Sequence, residues 1–242
     1  MSWNRSLLLI SLVPAVAWAQ TEIVESRLYY SAEPGTGHAY RKDVGKATTT
    51  MLQGDVDTAM PLLQPALAYC DAQRSQPGRR AMSFSSRREY AQYMADAGNG
   101  EPTEWLDIAC AMAYQQAGYG LAQLHRFEEA LRLLDTAIAV GPYYPSAWTE
   151  KGFVLNQLGR PAEALDAYNT ALELGRSHTE AAYIQPMALR GIGFSRTELK
   201  DLDGARAAYE QSLQLEPGNS TALHELDYIA QQQHPAPAQA TP

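Results

Sequence analysis

A segment that recurs at a regular interval is the feature that most constrains how this chain can fold. The stretch FEEAL at 127–131 recurs as PAEAL at 161–165. This interval, about 34 residues, is typical of stacked helical units, each of which covers the apolar face of the next. A third copy follows at a longer distance. Gly193 in the third copy is equivalent to Gly152 in the second, and the distance between them exceeds the regular interval because residues 179–185 have been inserted. We expect the inserted residues to extend the front of the following helix.

Each copy has the pattern of two helices joined at a glycine, and neither helix could bury its apolar face alone. Small residues at Gly152 and Ala164 would let the two helices of the second unit approach closely. Large side chains at Trp148, Leu155 and Tyr168 would fill the space to the next unit. Stability in such an array is a sum over units and the interfaces between them.

Three copies in phase carry a recognisable pattern of small, aromatic and alanine positions. The matching residues are Tyr114, Gly118, Ala130, Ala137 and Pro142 in the first, Trp148, Gly152, Ala164, Tyr168 and Ala171 in the second, and Leu189, Gly193, Ala205, Tyr209 and Pro217 in the third. In this pattern residues 111–219 resemble the tetratricopeptide repeat family, with departures at Arg176 and Arg196. The resemblance implies an all-α fold, a right-handed superhelix of helix-turn-helix repeats that forms an α-solenoid. Its repeats would span 111–144, 145–178 and 186–219.

The flanking segments are assigned from weaker patterns. Residues 54–71 resemble the second helix of a degenerate repeat, in which Pro61 and Pro65 should kink or break the helix. A long helix is expected to start near Thr103. The divisions are a leader at 1–19, an extended or disordered lead-in at 20–40, a degenerate helical region at 41–102, the repeats within 103–219, a capping helix at 220–232 and a Pro/Ala tail at 233–242.

The first residues have the features of a secretory signal peptide. Arg5 precedes a short apolar run at 7–16, and residues 17–19 form an A-x-A cleavage pattern. The alternative is a retained N-terminal anchor, although the run is short for a membrane span. We therefore expect an exported protein, secreted or resident in a bacterial periplasm, the latter by analogy with the family.

Charge argues against a general nucleic-acid or anionic-membrane binder. Removing Arg5 with the leader takes the 19 basic residues to 18 against 27 acidic ones, a net charge of −9. The local exception is residues 74–88, which hold five arginines and no acidic residue. Two interpretations are open for this Arg-rich loop: a solvated loop, or a docking site for an acidic partner.

Two cysteines, Cys70 and Cys110, remain after the leader. An exported protein meets an oxidising compartment, where the two could form a disulfide. They could equally be buried free thiols that pack as small apolar groups.

No residue pattern points to catalysis, a metal or a cofactor, so we expect a protein that is not an enzyme. The five histidines are scattered without metal-ligand spacing. Ser195 lies in GIGFS, which is not a nucleophile elbow. A second hypothesis assigns a ligand-binding or enzymatic role to residues 20–102, with the repeats as a scaffold. Ordering of the Arg-rich loop around one cavity would favour it.

The family resemblance implies that the first helix of each unit lines a concave groove. At one groove position the units carry Tyr119, Phe153 and Phe194, and the capping helix adds Tyr228. These rings could instead pack under neighbouring helices. The first hypothesis is an adaptor or scaffold that binds a peptide or partner protein, another envelope or secreted protein, in this groove. Around the rings lie Gln115, Gln123, Thr149, Asn156, Gln157, Arg190 and Glu198.

One binding mode of the family is not expected here. Some members hold a C-terminal carboxylate with a clamp of lysine, asparagine and arginine. The equivalent positions carry Gln115, Thr149 and Arg190 beside aromatic residues, so the clamp is missing.

Overall fold

The computed structural model describes residues 32–96 and 100–233 of the 242-residue chain. The predicted leader at 1–19 and nearly all of the predicted tail lie outside the described residues. Ten α-helices and two strands follow one another in the described part: α1 (Arg41–Leu52), α2 (Val56–Arg74), β1 (Arg80–Phe84), α3 (Arg87–Asp96), β2 (Thr103–Asp107), α4 (Ile108–Gln123), α5 (Phe127–Val140), α6 (Pro145–Gln157), α7 (Pro161–Ser177), α8 (Gln185–Glu198), α9 (Leu202–Leu215) and α10 (Ser220–Gln233).

The three predicted repeats are the helix pairs α4–α5, α6–α7 and α8–α9, and α10 follows as a cap. The same kind of contact recurs in each pair. A glycine of the first helix lies against a large side chain of the second helix. A Cβ atom on Gly152 would lie 2.7 Å from the Tyr168 ring, and one on Gly193 would lie 2.7 Å from the Tyr209 ring. Each helix pair also packs on the next, so the predicted class of an all-α helical solenoid is confirmed.

The degenerate region begins with a helix pair of the same kind, α1 and α2. Pro61 and Pro65 lie inside α2 without ending it, so of the two predicted effects, a kink or a break, the break does not occur. Both prolines are exposed and one turn apart on the same face. The carbonyl groups that lose a backbone partner therefore face solvent, where water can satisfy them.

A small parallel sheet was not predicted from the sequence. Strands β1 and β2 pair in register from Arg80 with Thr103 to Phe84 with Asp107, and α3 connects them. The helix expected near Thr103 starts instead at Ile108, where the Asp107 carboxylate caps it by accepting a hydrogen bond from the Ala109 N–H. The Arg-rich loop likewise contains β1 and is not a solvated loop along its length.

The described end of the lead-in, residues 32–40, is ordered against the carboxyl ends of the two strands. The Glu33 N–H donates to the Ser85 carbonyl, and the Thr36 N–H donates to the Trp105 carbonyl. Arg41 at the start of α1 forms a two-point ion pair with the fully buried Asp107, with both N–O distances at 2.8 Å. This buried pair fastens the lead-in and α1 to the sheet.

Four of the five arginines of the Arg-rich loop already have acidic partners within the chain. These ion pairs are Arg74–Asp71 (3.7 Å), Arg79–Glu104 (2.9 Å), Arg80–Glu101 (2.7 Å) and Arg87–Glu33 (4.0 Å). The pairs of Arg79 and Arg80 join the neighbouring ends of β1 and β2, and only Arg87–Glu33 links the β1–α3–β2 unit to the lead-in. These four arginines therefore offer little free positive charge to an acidic partner.

The inserted residues do not extend the next helix as expected. Residues Thr179–Ile184 form a separate 3₁₀ helix, and α8 begins after it with Pro186 in its first turn. The hydroxyl groups of Tyr183 and Ser146 lie 3.0 Å apart, so the insertion reaches back to the start of α6.

Cys70 of α2 and Cys110 of α4 form a disulfide, with their Cα atoms 5.7 Å apart. Both lie in the largest apolar core, which joins α1, α2, the sheet and the first repeat. Within residues 32–96 and 100–233, no helix is both long and apolar enough to cross a membrane.

Candidate functional site

Three of the four aromatic residues predicted to line the groove are exposed, two on the first helices of their units and one on the capping helix. Phe153 of α6 is 44% exposed, Phe194 of α8 is 39% exposed and Tyr228 of α10 is 41% exposed. Large aromatic side chains normally bury most of their surface in a folded chain. We call these three residues the aromatic face.

Tyr119, the fourth predicted member, is not part of the exposed surface. Its side chain is 9% exposed and belongs to the core that α1 and α2 form with α4. A Cβ atom on the adjacent Gly120 would meet Met51 and Met60, which shows how closely those two helices cover α4. The aromatic face therefore begins at the second repeat.

The polar residues predicted around the rings divide into exposed and structural ones. Gln123 and Gln157 are exposed, whereas Thr149 is buried and donates to the Ser146 carbonyl. Arg190 is held against α9, where it contacts Ser212 and pairs with Glu216. Thr149 and Arg190 are thus occupied within the fold.

Asn156 links two repeats across this face. Its amide nitrogen donates to the Ser195 hydroxyl at 3.1 Å, and that hydroxyl lies 3.2 Å from the amide oxygen. Ser195 is fully buried in this contact. The bond holds α6 beside α8, and Phe153 and Phe194 project from these two helices.

Each exposed ring has a carboxylate about one turn away on its own helix. Glu150 precedes Phe153 by three positions, and Glu225 precedes Tyr228 by three. Glu198 follows Phe194 by four. Residues at these spacings are neighbours on a helix surface. Glu198 was among the residues predicted from the sequence, whereas the other two were missed, although the same spacing from the predicted rings could have identified them.

The carboxylates also influence one another across helices. Burial raises the pKa of Glu225, the nearby His224 lowers it, and the negative charge of Glu198 on α8 raises it further. The pKa of the buried Tyr209 hydroxyl is raised by burial and by the charges of Glu225 and Glu198. Glu198 and Glu225 therefore contribute to one negative field between α8 and α10.

A second candidate is a small polar pocket between the β1–α3 unit and the repeats, with room for about one water molecule. The buried Glu89 carboxylate accepts the Ser85 N–H at 2.7 Å, and burial raises the pKa of Glu89. None of the arginines in the Arg-rich loop lines this pocket. The ordering of arginines around a cavity that would favour an N-terminal ligand or enzymatic role is therefore not seen there.

Within the described residues, no group of three or more histidine, cysteine, aspartate or glutamate side chains is placed to hold a metal ion. His178 is buried, and its ring lies 4.9 Å from that of Tyr143.

Known proteins share the repeat pattern of this chain. Residues 116–179 match the family model for the tetratricopeptide repeat. Among curated proteins, none matches the sequence significantly.

Three solved structures illustrate the likeness. The first such domain of Spaghetti (RPAP3), bound to the HSP90 peptide SRMEEVD, is 28% identical, covers 51% of this chain and 92% of its own, and has a TM-score of 0.46. The second domain of human RPAP3, in complex with the HSP70 peptide SGPTIEEVD, is 25% identical, covers 50% and 94%, and has a TM-score of 0.45. The Arabidopsis OM64 domain is 16% identical, covers 52% and 98%, and has a TM-score of 0.47.

Proposed function

We propose that this protein is an exported adaptor that binds a peptide or partner protein on the aromatic face. The single observation that carries the proposal is the repetition of exposed rings, Phe153, Phe194 and Tyr228, at one equivalent position of α6, α8 and the capping helix α10. Exposed aromatic anchors among adaptable polar groups are typical of residues that dominate protein interfaces.

Two observations support the choice of surface. The rings project from a packed framework, because Gly152 and Gly193 fix two first helices against the second helices of their units, and the Asn156–Ser195 bond holds α6 beside α8. A rigid framework lowers the ordering cost of binding. In addition, the match of residues 116–179 to the tetratricopeptide repeat favours protein binding over catalysis.

The proposed location outside the cytoplasm rests on different evidence. Residues 1–19 have the composition and cleavage pattern of a secretory leader. The Cys70–Cys110 disulfide supports the same proposal, because structural disulfides persist in oxidising compartments. The partner would then be another envelope or secreted protein.

The test is crosslinking and capture from the native envelope fraction with residues 20–242. The variant Phe153→Ala/Phe194→Ala should lose a partner that the wild type captures, because the exposed rings provide the anchors. It should keep its helical circular dichroism, since both rings are already partly exposed.

The control variant is Leu124→Ala/Leu215→Ala. It removes apolar side chains that are 44% and 52% exposed, directly after α4 and at the end of α9. This control should retain the partner. Equal capture by the wild type and the Phe153→Ala/Phe194→Ala variant would reject the aromatic face as the binding site.

A further inference from the structure

We propose that the partner segment bound by the aromatic face is basic, with lysine or arginine side chains alternating with apolar ones. This inference rests on the proposed function, and it deepens that function by specifying the chemistry of the partner.

The first step is the repeated pairing of a ring with a carboxylate. Each ring lies about one turn from a carboxylate on α6, α8 and the capping helix α10, in the pairs Glu150 with Phe153, Phe194 with Glu198, and Glu225 with Tyr228. A segment crossing α8 and α10 would meet an apolar ring and a negative charge on each of them, and the half-buried Glu150 adds a carboxylate near Phe153 on α6. That pattern matches side chains with an apolar stem and a cationic end, such as those of lysine and arginine.

The second step is the balance of charge around the face. Two neighbouring cations are engaged within the chain, since Arg190 pairs with Glu216 and Arg196 with Asp201. His224 lies beside Glu225, and Lys200 lies in the turn after α8.

In the part of the chain that the structure describes, neither Glu198 nor Glu225 forms an ion pair with a lysine or arginine, because the nearby arginines have other acidic partners. Glu198 and Glu225 therefore give α8 and α10 a shared acidic surface, in keeping with the acidic chain as a whole.

The third step is that this chain already uses the same recognition chemistry internally. The Lys151 ammonium lies 5.5 Å from the centre of the Trp148 ring and 2.7 Å from the Asp135 carboxylate. A cation held between a ring and a carboxylate gains from both. Phe194 with Glu198 and Tyr228 with Glu225 offer the same combination on the surface, to a cation supplied by a partner.

The test uses two short synthetic peptides of equal length, one of repeating Lys-Leu-Lys-Ala and one of repeating Glu-Leu-Glu-Ala. Fluorescence anisotropy against residues 20–242 should show binding of the lysine peptide and at least about tenfold weaker binding of the glutamate peptide, because only the lysine peptide complements the negative field. Raising the salt concentration should weaken the lysine complex.

Two variants of equal net charge locate the effect. Glu150→Gln/Glu198→Gln/Glu225→Gln removes the carboxylates of the face and should weaken lysine-peptide binding by about tenfold, the effect of several partly screened ion pairs. Glu128→Gln/Glu173→Gln/Glu210→Gln removes one exposed carboxylate from each second helix and should change binding less than about twofold. Circular dichroism would verify that both variants are folded.

Three results would overturn the inference: equal binding of the two peptides, no binding of the lysine peptide, or equal loss in both glutamine variants. Each leaves the proposed function open to its own test. A native partner that depends on Phe153 and Phe194 but not on the three carboxylates would support the binding face and reject a basic partner.

Discussion

At the scale of single residues, one side chain fastens the second repeat to the third. The Tyr168 ring lies against Gly152 of its own unit and also against Gly191 of the next. Burial raises the pKa of the Tyr168 hydroxyl, and the charge of Glu150 raises it further. The repeat pattern predicted a close approach at Gly152 and a Tyr168 side chain that fills the space to the next unit. Its contact with Gly191 depends on how the inserted residues 179–185 position α8, which a local pattern does not specify.

Replacing Gly191 by alanine should destabilise the protein. The added Cβ atom would lie 2.2 Å from the Tyr168 ring, so the ring or α8 must move. We expect overpacking to lower the free energy of unfolding by roughly 1–3 kcal/mol. The higher helix propensity of alanine offsets part of this loss, since at an exposed helical position it is worth about 1 kcal/mol relative to glycine. Urea unfolding would measure the change. In the Tyr168→Leu background the loss should shrink, and a more stable Gly191→Ala protein would contradict the proposed contact.

At the scale of elements, the helices of the repeats were predictable and the sheet was not. The helices carry a pattern that appears three times along the chain, whereas β1 and β2 are short and depend on pairing between distant segments. Thr103 suggested a helix cap, but the cap is Asp107, directly before the long apolar run of α4. An aspartate in that position was a usable signal, and Trp105 and Leu106 before it fit a strand.

Asp107→Asn should destabilise the N-terminal part of the protein strongly. The substitution keeps an acceptor oxygen but removes the charge that balances Arg41, whose side chain is only 15% exposed. Breaking a buried pair costs about 3–5 kcal/mol.

Chemical denaturation would measure the loss, with Asp135→Asn as the control. That substitution breaks the half-exposed Lys151–Asp135 pair and should cost less than about 1 kcal/mol. Similar losses in the two variants would contradict the anchoring role of Asp107.

At the scale of the whole molecule, the N-terminal elements determine where the aromatic face begins. Helices α1 and α2 cover α4 and bury Tyr119, whereas α6, α8 and α10 keep their rings exposed. The repeat pattern predicts groove positions for Phe153, Phe194 and Tyr228, and these three rings are exposed in the structure. It could not exclude Tyr119, because the same side chain is exposed or buried according to the elements packed against its helix.

The disulfide should stabilise the N-terminal part more than the far end of the solenoid. Cys70 and Cys110 are 40 residues apart, and closing such a loop is worth about 4 kcal/mol in the chain-entropy treatment. Reduction should therefore lower the midpoint of thermal unfolding.

In a solenoid each unit contacts mainly its neighbours. Hydrogen exchange after reduction should accordingly lose protection first in α1, α2 and the sheet, and least in α9 and α10. The Cys70→Ser/Cys110→Ser variant should show the same profile and no response to reductant. A uniform loss along the chain would instead indicate that all units unfold together.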